Sequence, residues 1–225
     1  MINSDHKKQA VARAAIEYVE YDDIVGVGTG STVDYFIEYL KPLKNKISGT
    51  VASSISTKEK LEANGIKVFD LNEVSEIPIY IDGADEVNGN FQLIKGGGGA
   101  LTREKIIAAA SKKFLCIVDE SKLVDVLGRF PLPIEVLPMA RSYVAREIIK
   151  KEAMPSWREG FVTDNGNIIL DINHMDIIEP IKIENDLNQI PGIVTVGLFA
   201  KRGADQVLVS NEKEVINLEK KIIII

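Results

Sequence analysis

Short apolar runs alternate with amphipathic stretches through the first half of the chain. Ile24 to Gly28, Ser48 to Ala52, residues 67–71, Ile77 to Ile81 and Phe114 to Val118 read as strands. Helices are predicted between them over 31–40, 57–64 and 102–112. A first helix spans about Ser4 to Glu20 and buries Ala10, Val11, Ala14 and Tyr18 at helical spacing. Ser56 with Glu59 three residues on forms a capping box, and Gly65 ends that helix. Strands alternating with helices over short connections predict a parallel sheet covered on both faces, a Rossmann-like α/β arrangement.

The rhythm changes at Phe130-Pro131-Leu132-Pro133. Beyond it the pattern predicts strand 133–137, helix 140–152, strand 157–163, an Asp164-Asn165-Gly166-Asn167 turn, strand 168–172, helix 183–190 and strand 193–199. An Asn-Gly pair between apolar runs signals a hairpin, and the order βαββαβ is that of a smaller ferredoxin-like α+β unit. Asp205 to Ser210 then returns to the first sheet. The expected division is a Rossmann-like domain at 1–130 and 201–225 with an inserted ferredoxin-like domain at 131–200. Lys220-Lys221 and Ile222 to Ile225 close the chain as an edge strand, an oligomer contact or a sticky tail, three readings that stand equal.

Composition narrows the function classes. The 225 residues are 45% hydrophobic and 27% charged, ordinary for a globular protein, with a net charge of −6. That charge gives no general attraction for nucleic acid or an acidic membrane, so any phosphate must be held by local cations; Lys7, Lys8, Lys95 and Lys122 are the candidates. Cys116 lies in an apolar run and reads as a small buried hydrophobe. No stretch approaches a membrane span and the polar N-terminus lacks a signal-peptide core, so a cytoplasmic protein is expected.

Three segments carry candidate chemistry. Lys95-Gly96-Gly97-Gly98-Gly99-Ala100-Leu101-Thr102-Arg103-Glu104-Lys105 is a bare backbone loop entering a helix, so main-chain N–H groups, a cation and a carboxylate surround one potential anion. Tyr80-Ile81-Asp82-Gly83-Ala84-Asp85 puts two carboxylates where a buried strand gives way to its loop, the edge at which open α/β sheets bind ligands. Gly26-Val27-Gly28-Thr29-Gly30-Ser31-Thr32 repeats the strand-loop-helix form and adds hydroxyls to a helix N-terminus.

A dinucleotide reading fails, because the glycines fall at 26, 28 and 30 with Ser31 where G-x-G-x-x-G needs glycine, and the second strand ends in Ser53-Ser54 rather than an acid. No G-K-[ST] follows any glycine loop. A small phosphate ester fits better. His6 and His174 are far apart in sequence, so no metal site and no cofactor are expected, and Mg²⁺ on Asp82 and Asp85 ranks below a carboxylate relay.

These three loops, together with Leu127-Gly128-Arg129-Phe130-Pro131-Leu132-Pro133-Ile134-Glu135-Val136 and Val162-Thr163-Asp164-Asn165-Gly166-Asn167, closely resemble type A ribose-5-phosphate isomerase from about Asp5 to Ser210, in order and spacing. The resemblance implies interconversion of D-ribose 5-phosphate and D-ribulose 5-phosphate in the non-oxidative pentose phosphate pathway, through a cis-enediol and without a required metal. It implies that Glu104 is the catalytic base, that Asp82 and Asp85 relay protons among the sugar oxygens, and that Lys95 stands beside the reacting carbonyl. Thr29, Gly30, Ser31 and Thr32, the Asp82-Gly83-Ala84-Asp85 segment, and Lys95, Gly96, Gly97 and Gly98 match substrate-binding loops. Lys122 matches a further substrate contact and Lys8 a phosphate contact. A homodimer or homotetramer is also implied, with a small sugar phosphate as the only partner and neither nucleic acid nor membrane. A phosphosugar sensor and a CoA transferase using Glu104 as nucleophile are the competing classes. Turnover of a pentose phosphate without CoA binding separates them from the isomerase.

Overall fold

The computed structural model describes residues 4–219; the Ile222–Ile225 tail lies outside them. In chain order the elements are α1 (Ser4–Ala15), β1 (Ile24–Val27), α2 (Ser31–Leu40), β2 (Gly49–Ala52), α3 (Ile55–Ala63), β3 (Ile77–Asp82), β4 (Glu86–Val87), β5 (Leu93–Ile94), α4 (Leu101–Ala110) and β6 (Ser111–Asp119). There follow β7 (Leu132–Val136), α5 (Arg141–Ile149), β8 (Met154–Trp157), β9 (Ile168–Asn173), α6 (Pro180–Asn188), β10 (Ile193–Val196), β11 (Leu198–Phe199), β12 (Gln206–Ser210) and β13 (Val215–Glu219). Residue contacts divide the chain into two compact units, one of residues 4–83, 106–122 and 204–219, the other of 84–105 and 123–203.

The first unit is built on a sheet in the order β13-β12-β6-β3-β1-β2, parallel except for β13. Strand alternation explains why helices cover both faces. Val25 and Val27 join a core with Val11 and Ala15 of α1 and Val33, Phe36 and Ile37 of α2. Gly26 points the other way, where a Cβ would stand 3.0 Å from Ile107 of α4. The central strands are buried on both faces and read as continuous apolar runs for that reason.

The second unit holds an antiparallel sheet in the order β10-β7-β9-β8, the ferredoxin-like arrangement, with Val144 and Ile148 of α5 and Leu187 of α6 in its core. A small sheet, β11-β5-β4, belongs to the same unit.

Several local readings change. The first helix ends at Ala15 and tightens into a 3₁₀ turn at Ile16–Tyr18; Val11, Ala12 and Ala15 are its innermost residues, while Ala10, Ala14 and Tyr18 are only partly buried. The capping box at Ser56 and Glu59 is replaced by Ser54, whose Oγ accepts from Thr57 N at 3.0 Å. Ser53 N is still tied to Val27 O, and the helix begins immediately after it. Gly65, at φ +73°, does terminate that helix. Residues 67–71 make one bridge, Thr50 to Val68, before Asp70 caps a 3₁₀ turn.

The strand expected at 157–163 lies instead at 154–157. Arg158 N makes a last bond to Ile169 O, and the chain then leaves the sheet. The Asn165-Gly166 turn forms, with Gly166 at φ +80°, as the tip of a longer connection. β13, β4 and β5 carry no periodic signal strong enough to be read from sequence, and the strand expected at 193–199 divides into β10 and β11.

Candidate functional site

In the first unit, β1 runs into a loop, Gly28-Thr29-Gly30, and then α2, whose N-cap Gly30 adopts φ +132° and supplies no side-chain cap. Its open N-terminal N–H groups and the Ser31 and Thr32 hydroxyls favour an anion. The loop is held by the end of β3. Asp82, with no exposed surface, accepts from Thr29 N at 3.1 Å and Gly83 N at 2.7 Å through Oδ1, and from the Tyr80 hydroxyl through Oδ2. Gly28 makes this approach possible, because a Cβ there would stand 2.0 Å from the Asp82 carboxylate.

Hydroxyls fix the same loop from the β2–α3 corner. Thr29 Oγ1 lies 2.7 Å from Ser53 Oγ, 2.9 Å from Ser54 Oγ and 3.2 Å from Thr57 Oγ1, and Thr57 Oγ1 donates to Gly28 O at 2.7 Å. Thr29 is thus set by backbone and side chain together, and Asp82 and Gly83 share its network. Lys8 and Lys122 are half-buried in this unit. The neighbouring Lys7 is committed elsewhere, donating to Glu120 Oε1 at 2.6 Å, a hydrogen bond that raises its pKa.

In the second unit, Lys95 follows β5 and Glu104 sits in the first turn of α4. Their side chains are 3% and 4% exposed, with Lys95 Nζ 3.4 Å from Glu104 Oε2, longer than a direct charge-assisted hydrogen bond of about 2.7–2.9 Å. The Lys95 backbone is fixed by Lys95 N to Gly197 O at 2.8 Å, and a Cβ at Gly197 would strike Lys95 O at 2.3 Å. Phe199 presents its ring to Lys95 Nζ at 5.8 Å and to Lys105 Nζ at 4.7 Å. Lys105 turns away from the loop to Glu184 at 2.6 Å. Burial lowers its pKa, and Glu184 opposes that shift.

The glycine loop connects Lys95 to α4 through three positions, 96, 97 and 99, that favour glycine. Gly96 and Gly99 have φ of +105° and +80°. A Cβ on Gly97 would stand 2.6 Å from Asp85 Oδ1, where Gly97 N donates to Asp85 Oδ2 at 2.8 Å. A Cβ on Gly98 would meet nothing within 4 Å. Asp85 is half-buried, and Ala84 precedes it where the division between the units falls, at Gly83–Ala84. The start of α4 is anchored by Glu135 of β7, fully buried, which accepts from Thr102 Oγ1, Thr163 Oγ1, Asn165 Nδ2 and Asn167 Nδ2.

The family described as ribose 5-phosphate isomerase A (phosphoriboisomerase A) matches residues 49–214. The chain belongs to the ribose 5-phosphate isomerase A family. A ribose 5-phosphate isomerase A from Neisseria gonorrhoeae is similar at 43% identity and a TM-score of 0.95, covering 97% of this chain and 98% of that one. The isomerase from Methanocaldococcus jannaschii is 36% identical with a TM-score of 0.92, over 97% and 100%. A D-ribose-5-phosphate isomerase in complex with phospho-erythronic acid is 39% identical with a TM-score of 0.93, again over 97% and 100%.

For this isomerase family member, sequence reasoning singled out the residues at loop positions and missed those that hold them. Tyr80, Ser53 and Ser54 read from sequence as strand or strand end, Thr57 as the start of a helix, and Glu135 as part of a matching segment with no role of its own. Two charged or polar positions inside otherwise apolar segments, Tyr80 before Asp82 and Glu135 between Ile134 and Val136, were the available signals, since a carboxylate is buried only where donors meet it.

Proposed function

We propose that Glu104 is the base that carries the proton between C2 and C1 of the open-chain sugar, with Lys95 beside the oxygen that gains charge. The activity follows from the family: the enzyme is an aldose-ketose isomerase that interconverts ribose 5-phosphate and ribulose 5-phosphate. Glu104 removes the C2 proton, the C–H electron pair forms the C1–C2 double bond, and the carbonyl pair moves onto O1. Returning the proton to C1, with a proton passed from O2 to O1, leaves the carbonyl at C2. A carboxylate base supplies about 10²- to 10⁴-fold, so the larger part of the acceleration falls to stabilising the enediolate.

The observation that carries this reading is the buried Lys95–Glu104 pair at 3.4 Å beside a glycine loop. An ammonium and a carboxylate shielded from water interact strongly with charge that develops between them. Phospho-erythronic acid, bound by a similar isomerase, joins a phosphate to a carboxylate that carries the charge an enediolate would carry.

Asp85, half-buried with one oxygen on Gly97 N, is assigned the O1–O2 relay and the opening of the furanose ring. Asp82 is assigned a narrower part, fixing Thr29 and Gly83 where the substrate binds. The N-terminus of α2 with Ser31 and Thr32 takes the phosphate, with Lys8 and Lys122 as further contacts. We also assign residues 131–200 to an inserted domain and 1–130 with 201–225 to the catalytic one, and expect a cytoplasmic homodimer or homotetramer. Formation of ribulose 5-phosphate from ribose 5-phosphate in excess EDTA tests the activity and its independence of metal. Glu104→Gln should abolish turnover while sugar-phosphate binding stays within about tenfold; near wild-type kcat would remove Glu104 from the role.

A further inference from the structure

The glycine loop owes its orientation to a residue from a distant part of the sequence. Arg158, just after β8, donates through Nη1 to Gly96 O at 3.1 Å and Gly97 O at 3.0 Å. The rest of its guanidinium is occupied by Asp171 of β9, with Nε on Oδ2 at 2.9 Å and Nη2 on Oδ1. Both side chains are 20% exposed, so the pair is largely withdrawn from water. A second contact reinforces the clamp: Phe161 lies 5.5 Å from the guanidinium, and a Cβ on Gly99 would stand 2.2 Å from its ring.

The trans peptide turns this clamp into a device for aiming donors. In a trans peptide plane the N–H points opposite to the C=O. The Gly96 carbonyl shares a plane with the Gly97 N–H, and the Gly97 carbonyl with the Gly98 N–H. A guanidinium on both carbonyls therefore directs both N–H groups to the other side of the loop and polarises them as donors. The Gly97 N–H meets Asp85 there. The Gly98 N–H is directed to the same side by the Gly97 carbonyl, and a Cβ added at Gly98 would meet nothing within 4 Å.

We propose that Arg158, held by Asp171, is a positioning residue of the isomerase: it aims the Gly97 N–H at Asp85 and the Gly98 N–H at the bound sugar phosphate. The assignment rests on the reading of this loop as substrate-binding. Arginine is required rather than any cation, because one planar group must reach two carbonyls on one edge and a carboxylate on the other.

The test compares Arg158→Met and Arg158→Lys with wild type in ribose 5-phosphate turnover and in amide hydrogen exchange of residues 95–101 without substrate. Losing charge-assisted hydrogen bonds to two carbonyls should lower kcat/KM by about tenfold to a hundredfold in Arg158→Met. Arg158→Lys should recover little. Exchange in residues 95–101 should accelerate selectively, and low, non-denaturing guanidinium should restore part of the activity of Arg158→Met but not of wild type. A folded Arg158→Met with kcat/KM within twofold of wild type and unchanged exchange in the loop overturns the proposal. Should Arg158→Met fail to fold, Asp171→Asn, which keeps the guanidinium but weakens its anchor, must show the same selective exchange. Wild-type inactivity toward ribose 5-phosphate would count against the functional reading alone, since the exchange experiment needs no turnover.

Discussion

Tyr80→Phe tests the idea that Asp82 holds the Thr29 loop through its own set of donors. The substitution removes one hydroxyl and leaves the ring, so the Tyr80–Phe114 contact, with centroids 5.0 Å apart, is retained. Tyr80 and Asp82 are both fully buried, and the lost hydroxyl is a donor to Asp82 Oδ2. A hydrogen bond to a charged group contributes about 1.5–3 kcal/mol. For a chain of this length that corresponds to a fall in Tm of about 3–6 °C. Function should change less than stability: the Thr29 side chain keeps its contacts to Ser53, Ser54 and Thr57, so KM should rise about threefold to tenfold with kcat nearly constant. Thermal melts and steady-state kinetics on the same preparation provide both numbers. A Tm unchanged to within about 1 °C, together with unchanged KM, would show that the Tyr80 hydroxyl does not support Asp82.

Other substitutions probe separate supports. Gly28→Ala places a Cβ 2.0 Å from the Asp82 carboxylate and should cost about 3 kcal/mol or more, read by denaturant unfolding, with activity falling in parallel. Glu135→Ala removes the acceptor shared by Thr102, Thr163, Asn165 and Asn167; it should cost about 3 kcal/mol or more and reduce kcat, because the first turn of α4 that carries Glu104 loses its anchor. Asp23 has its pKa raised above 3.8, first by burial and then by Glu20 and Glu76. The folded state therefore binds more protons than the unfolded chain between 3.8 and the raised value, and stability from this group falls as pH rises through that window. Asp23→Asn should consequently melt higher than wild type at pH 7, with the gain vanishing below about pH 3.8; an equal gain at both pH values would refute the assignment.

The sequence alone was sufficient for the elements and loops whose signals are local. Apolar runs between amphipathic stretches gave the central strands, Asp82 at the end of β3, and the glycine loops at 28–30 and 96–99, because strand burial and glycine's freedom at positive φ are written into consecutive residues. The alternation of the second half was similarly enough for β7, α5, β9, α6 and β10 in order, although not for where β8 lies. Tertiary structure alone decided which donors each buried carboxylate receives. Asp82 and Thr29 are 53 positions apart, Glu135 and Thr102 33, and Arg158 and Gly97 61. It also moved the cap of α3 to Ser54, because the β1–β2 ladder holds Ser53 until just before the helix starts. A buried charge has no periodicity of its own. Its place is set by desolvation, which tolerates it only where donors from several strands and loops converge, and that convergence exists only once the chain has folded.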